Sequence, residues 1–460
     1  MGKNKYLYIT LLCVLGIQQE TLAQTLSSAP KLVVNVTIDQ LRADYLETFI
    51  PLYRADGFRL LLGQGKVYTN ASYNFAPVDR ASAIATLATG TTPYYHGIVG
   101  TEWLSKPKLQ TVNCISLTQG YKAAANLQTS TLGDEMKLAS EGLSLVYSFA
   151  PTADAAILSA GHAATAVAWV SGSRWATLNY DQPLPEWMST FTRQTGIATD
   201  VNQSIADMAI KCIEQASVGV DEQPDVLNVI FKQGATPRDT YISLDYNIAR
   251  LINRLETRIG HSRYLLVVTG TGYSEEKDKP GSEERFHIPT GKFNIVRTSN
   301  LLNMYLGAIY APAKYIETCY RNQLFLNLQL IERLNINLSE LLKRSQDFLI
   351  QVEGVRNVYT STQLMTSENS RLEKIRNGYC IDKCGDLMIE VAPGWKLVNE
   401  ERNENIPQRT SFFSFPIIFY GSTLSKETIQ TPVTVDRVAP TVAKAIRIRA
   451  PNACSSEPLF

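Results

Sequence analysis

The tightest constraint in this chain is a series of short apolar runs separated by helical patterns. Residues 31–38 (KLVVNVTI) form a continuous apolar run that ends at Asp39. Residues 225–231 (DVLNVIF), 263–269 (RYLLVVT), 386–391 (DLMIEV) and 416–421 (PIIFYG) have the same character. Runs of that length without alternation read as strands buried on both faces of a parallel sheet. Between them, Tyr241, Leu244, Ile248, Leu251, Ile252, Leu255 and Ile259 fall on one face of a helix over 238–259. Weaker helical patterns cover 203–217, 320–333 and 438–446. Strand and helix in alternation predict an α/β fold, a mostly parallel central sheet with helices on both faces. In such sheets ligands bind beyond the carboxyl ends of the strands. Asp39, Thr271 and the loop after Phe231 therefore mark the expected site.

Composition narrows the class. The chain has 460 residues, 45% of them hydrophobic, which is enough for a large core and excludes a disordered or fibrous protein. Its 44 basic and 43 acidic residues balance, which argues against a nucleic-acid binder. Only four histidines are present, His96, His162, His261 and His287, so imidazole ligands are scarce.

The first residues read as a processing signal. Lys3 and Lys5 precede an apolar run over 6–17, which is too short to span a bilayer, and Thr21-Leu22-Ala23 supplies small residues for cleavage after Ala23. Cys13 lies inside the apolar run, a poor place for a lipoprotein cysteine. No later segment reaches about 18 uninterrupted apolar residues. The expectation is a signal peptide over 1–23 and an exported, soluble chain over 24–460, periplasmic or secreted. A cap or insertion is expected within the more charged stretch 290–400. Six cysteines follow the signal, and spacing allows Cys380 and Cys384 to close a small loop. Cys212, in a helical pattern, reads as a buried thiol.

Several ordered segments resemble the alkaline phosphatase superfamily, specifically its secreted bacterial branch of phosphomonoesterases and phosphodiesterases with a threonine nucleophile. They include IDQLRADYL (38–46), DGFRLLLGQGKVYTNASYNFAP (56–77), ATGTTPYYHGIVGTEWL (88–104), TLGDEMKLAS (131–140), AAILSAGHAATAVAW (155–169), NGYCIDKCGDLMIEVAPGW (377–395) and FPIIFYG (415–421). The resemblance implies two zinc ions at the strand ends, held by aspartates and three histidines, beside a Thr or Ser nucleophile. Such ions stabilise transferring phosphoryl oxygens and activate the alcohol.

Followed onto this chain, that ligand set is broken. Asp39 matches the first metal-binding aspartate. Arg80 falls at the nucleophile position, and a guanidinium cannot attack as an oxygen nucleophile. Ser82, two residues on, serves only if the turn is rebuilt. The Asp-x-x-x-His pair has no counterpart in the shortened loop 232–238. Thr271 and Gly272 stand where an Asp-His pair is expected, and Ser414 stands at the last histidine. The substrate-contacting Asn is Thr101. The Lys-x-Arg pair before the Ala-Ile-Leu strand is Thr152 and Asp154, an exchange that would repel phosphate. Metal and cofactor are thus expected to be absent. Asp39 and Arg80 are expected to form an ion pair in place of the metal centre; the plainer alternative has Asp39 capping the next helix and Arg80 in solvent. The histidines are expected to be hydrogen-bonded structural residues.

The leading expectation is an exported pseudo-phosphatase with a binding or assembly role and an envelope protein as partner. The alternatives are an active metal-dependent phosphatase or phosphodiesterase with an unconventional site, and a small-ligand binder using Arg80 and nearby hydroxyls.

Overall fold

The computed structural model describes residues 29–117, 122–180, 182–234, 236–274, 289–407, 413–422 and 424–460. The segment 1–23 and His287 lie outside them. A ten-stranded sheet forms the centre. From edge to edge it runs Glu427–Ile429, Lys66–Ser72, Phe415–Gly421, Tyr264–Gly270, Leu32–Ile38, Asp225–Phe231, Val146–Ala150, Ala166–Ser171 and Arg174–Asn179, with Val433–Thr434 also pairing to Lys66–Ser72. Valine and isoleucine fill the middle strands because branched side chains fit a pleated surface packed on both faces. Leu32–Ile38 lies between two parallel neighbours. Its last residue, Ile38, pairs with Phe231 on one side and Gly270 on the other. Asp39, Lys232 and Thr271 therefore leave the sheet side by side.

Helices cover both faces. Pro237–Arg258 starts with proline at its first turn, where the missing N–H costs nothing. It buries the predicted apolar face from Tyr241 to Leu255. The Tyr241 hydroxyl accepts from Arg42 N at 2.8 Å and donates to Arg42 O at 3.2 Å, fixing the chain just past Asp39.

Three sequence expectations need correction. The apolar run near 387–391 is a strand, but of a separate four-stranded antiparallel sheet with Ile316–Tyr320, Gln323–Leu326 and Val355–Thr360. The Ala-Ile-Leu segment is not a strand; it lies in the helix Ala153–Ala160, as alanine's helix propensity favours. The helical pattern over 320–333 divides into Gln323–Leu326, a strand, and a helix only from Leu328 to Arg333. Phe415–Gly421 joins the central sheet antiparallel to both neighbours.

Residues from Gly291 to Pro407 add a second layer with its own core, including Phe293, Leu302, Leu306, Leu341, Leu349 and Ile389. Its seam to the main body is tied by side chains. Lys383 Nζ donates to the carbonyls of Gly97 and Asn126 and sits 4.5 Å from the Trp103 ring centre. Lys106 pairs with Asp386 at 3.1 Å, and Tyr320 donates to Glu102 at 2.9 Å. One small apolar contact joins Leu104 to Tyr320 and Phe325. The six cysteines of the described residues, Cys114, Cys212, Cys319, Cys380, Cys384 and Cys454, carry free thiols. Cys212 is fully buried in its helix, and burial pushes its thiol well above the usual range.

Candidate functional site

Asp39 sits at the end of the central strand and is 5% exposed. Thr271 Oγ1 donates to its Oδ1 at 2.8 Å, and the Tyr273 hydroxyl donates to its Oδ2 at 3.2 Å. Thr271 Oγ1 also accepts from Gln40 N at 2.8 Å. Gln40 adopts a left-handed φ of 60°, which turns the chain sharply just past Asp39. The threonine at a ligand position is thus a hydrogen-bond bridge between two strands. Tyr273 is a site residue that the sequence reading missed. Its two-residue spacing from Thr271 was the available signal.

Arg80 opens the helix Arg80–Thr89. Asp79 caps that helix: its Oδ1 accepts from Ser82 N at 3.0 Å, and Ser82 Oγ accepts from Asp79 N at 3.0 Å. This reciprocal capping box consumes Ser82, which has no exposed surface and is not placed as a nucleophile. Asp79 Oδ2 accepts from Thr101 N at 2.8 Å, so the aspartate also anchors the loop that carries Thr101.

The ion pair of Arg80 is with Asp154, not with Asp39. Arg80 Nε donates to Asp154 Oδ2 at 2.9 Å, and Nη2 donates to Oδ1 at 3.3 Å. Asp154 projects from the first turn of Ala153–Ala160, where the helix dipole favours a carboxylate, and it meets the guanidinium in a bidentate fork. Burial works against the charge on Arg80. Asp154 overrides it, with help from Tyr273 and Asp39, and holds the guanidinium pKa above its ordinary value. Asp39 is already supplied with donors by Thr271 and Tyr273. Nor does Asp39 cap the next helix: Ala43–Thr48 is preceded by Arg42 and has no side-chain cap. Arg80 is partly buried rather than free in solvent.

The remaining expected positions are dispersed. Thr152 precedes the Asp154 helix without capping it, and its hydroxyl oxygen is buried without a hydrogen bond. Ser414 is exposed, and its carbonyl accepts from Ala43 N at 2.9 Å. After Phe231, Lys232 N donates to Asn202 Oδ1 and Gly234 N to Thr240 Oγ1, so the shortened loop closes directly onto helices.

The described histidines are all engaged elsewhere. His96 is fully buried. Its Nδ1 accepts from Ile98 N at 3.1 Å, leaving Nε2–H to donate to Thr86 Oγ1 at 3.0 Å. Burial, with nearby Lys383, pulls its pKa to about 3, so it is neutral. His261 bonds Glu256 at 2.7 Å beside the rings of Tyr264 and Tyr420. His162 places Nδ1 2.9 Å from Asp134 Oδ2 and Nε2 3.0 Å from the Leu127 carbonyl. Both partners only accept, so the ring satisfies them as an imidazolium. The bond to Asp134 raises its pKa against the opposing effect of burial.

A group whose folded pKa is raised stabilises the fold fully below the unfolded value, about 6.5 for histidine, and loses that stabilisation as pH rises through the folded value. The Tm should therefore fall on going from about pH 6 to about pH 9, and fall less in His162→Gln. Equal slopes in the two proteins would refute the imidazolium.

The model of the type I phosphodiesterase / nucleotide pyrophosphatase family matches residues 33–413. The chain belongs to that family. Among its relatives, alkaline phosphatase PafA of Elizabethkingia meningoseptica is 23% identical over 518 residues, covering 94% of each chain. Alkaline phosphatase PhoV of Synechococcus elongatus is also 23% identical, covering 95% of this chain and 93% of the relative. The crystal structure of PafA matches with a TM-score of 0.77 at 22% identity, over 94% of this chain and 98% of the other. Murine ectonucleotide pyrophosphatase / phosphodiesterase 5 matches at 0.54 and 12% identity, over 91% and 95%. The structural matches establish the alkaline-phosphatase-like fold expected from the sequence.

The two zinc ions implied by the superfamily do not fit the groups that the described residues place around Asp39. Zinc takes about four carboxylate, imidazole or thiolate ligands. Here the neighbours of Asp39 include two hydroxyls that donate to it, with a fixed cation close by. Among the described residues, no group of three or more His, Cys, Asp or Glu converges as a ligand set.

Proposed function

We propose that this family member is an exported, catalytically degenerate phosphatase that serves a binding or assembly role in the periplasm, with an envelope protein as partner. One observation carries the reading. Arg80, at the nucleophile position implied by the resemblance, is committed to Asp154, while Asp39 is held by Thr271 and Tyr273. A protonated guanidinium cannot be phosphorylated as an alcohol nucleophile would be. Export rests on the basic and apolar opening of the sequence. Among the described residues, no helix is long and apolar enough to cross a membrane.

The competing reading is an active phosphatase or phosphodiesterase with an unconventional site. It is favoured by the match along nearly the whole chain to relatives named alkaline phosphatases. Metal analysis and turnover of a generic phosphomonoester and phosphodiester, with and without added zinc, separate the two. The expected result is no bound zinc and no turnover above a protein-free blank. Tightly held zinc, with turnover abolished by a chelator, would overturn the proposal. Crosslinking and capture from envelope extract then tests for the partner.

A further inference from the structure

The central sheet carries a polar ladder beneath the strand ends. Asn35 and Asn228 are register partners, and Asn35 Nδ2 donates to Asn228 Oδ1 at 3.0 Å. Asn228 Nδ2 in turn donates to the Ser159 carbonyl at 3.0 Å. These residues border a small pocket of about 30 Å³ that is also lined by Thr37, Ile84, Leu132 and Val438. Two buried polar atoms of residues lining it, Asn35 Oδ1 and Thr269 Oγ1, have no hydrogen-bond partner. Thr269 is 2% exposed, so bulk solvent does not satisfy it.

The register explains why the two atoms do not satisfy each other. Thr269 pairs with Thr37, two residues beyond Asn35 on the same face. Strands about 4.8 Å apart, rising about 3.3 Å per residue, separate such diagonal Cα atoms by about 8 Å. Asn35 and Thr269 both line the pocket, and a diagonal of that length leaves room for one small bridging group between their side chains. A buried water needs about 10–15 Å³ of such space and two to four polar partners. The cavity meets both conditions and is too small for an organic ligand. Its lining holds amides and hydroxyls but no charged side chain to pair with an ion.

We propose that this cavity is a structural water site, in which one buried water donates to Asn35 Oδ1 and bonds Thr269 Oγ1. The water links the Leu32–Ile38 and Tyr264–Gly270 strands on the face that also carries Asp39 and Thr271. It is independent of the proposed function. A crystal structure of the full chain that shows ordered solvent should reveal one peak within hydrogen-bond distance of both atoms. A dry cavity, xenon entering it under pressure, or Asn35 Oδ1 bonded directly to protein would overturn the site. Thr269→Val removes one partner without changing shape and should lower Tm by a few degrees while displacing the solvent peak. An unchanged peak in the variant would also count against the proposal. Should the variant fail to fold, the wild-type crystals still decide.

Discussion

Replacing Asp154 with alanine is expected to destabilise the protein by about 2 kcal/mol. The substitution leaves the Arg80 guanidinium without its bidentate partner in a site where its side chain is 28% exposed. Partial exposure sets the size: fully buried pairs cost about 3–5 kcal/mol to break from one side, and water access here lowers that. Arg80→Ala should cost less, because Asp154 keeps its favourable place in the first turn of a helix. The double variant should be less damaging than the sum of the singles, giving a coupling of about 1 kcal/mol or more. Denaturant midpoints at constant slope measure all three. Additive effects would mean that the pair does not organise the site.

A second large effect is expected at a residue far from any ligand position. Gly378 packs against the main-chain oxygen of Ala76, and a Cβ there would stand 2.3 Å from it. The neighbouring ties, Ala76 N to the Lys374 carbonyl at 2.9 Å and Asn377 Nδ2 to the Asn74 carbonyl at 3.0 Å, hold the same segment. That segment leads directly into Asp79 and Arg80. Gly378→Ala must therefore move either the cap layer or the loop that presents Arg80, and should cost about 3 kcal/mol. Gly63 is a useful control, since a Cβ there meets nothing within 4 Å in a helix. Gly63→Ala should leave stability unchanged or raise it by about 0.5–1 kcal/mol. Similar losses in both variants would show that overpacking at Ala76 is not the cause.

Much of the fold was legible because local patterns and burial agree. The Val- and Ile-rich runs at 32–38, 225–231 and 264–270 are middle strands, and the single apolar face from Tyr241 to Leu255 is a buried helix face. Periodicity cannot say which sheet a strand joins, and Leu387–Val391 belongs to the smaller antiparallel sheet rather than the central one. The Asp79-x-x-Ser82 spacing is the local signal for the capping box that starts the Arg80 helix. At the site, Asp39, Arg80 and Thr271 were placed by motif position. The partner of Arg80 was not, because Asp154 lies 74 residues away and only the packing of two helix starts brings them together. Nearest charge in the resemblance pointed to Asp39, but two hydroxyls had already taken its oxygens.

The seam between the two layers has a mechanical consequence. Most of its ties named above are salt bridges and hydrogen bonds, with apolar contacts of Leu104 with Tyr320 and Phe325 and of Val99 with the cluster around Tyr359, Leu372 and Tyr379 beside them. Separating the layers there would wet charged groups that water solvates well and would uncover the apolar contacts of Leu104 and Val99. The layer from Gly291 to Pro407, with a core of its own, is expected to open as one unit at a lower cost than global unfolding, which native-state hydrogen exchange would detect. Thr101 and the start of the Arg80 helix lie on the main-body side of that seam. On that expectation, access to them would follow a subglobal equilibrium.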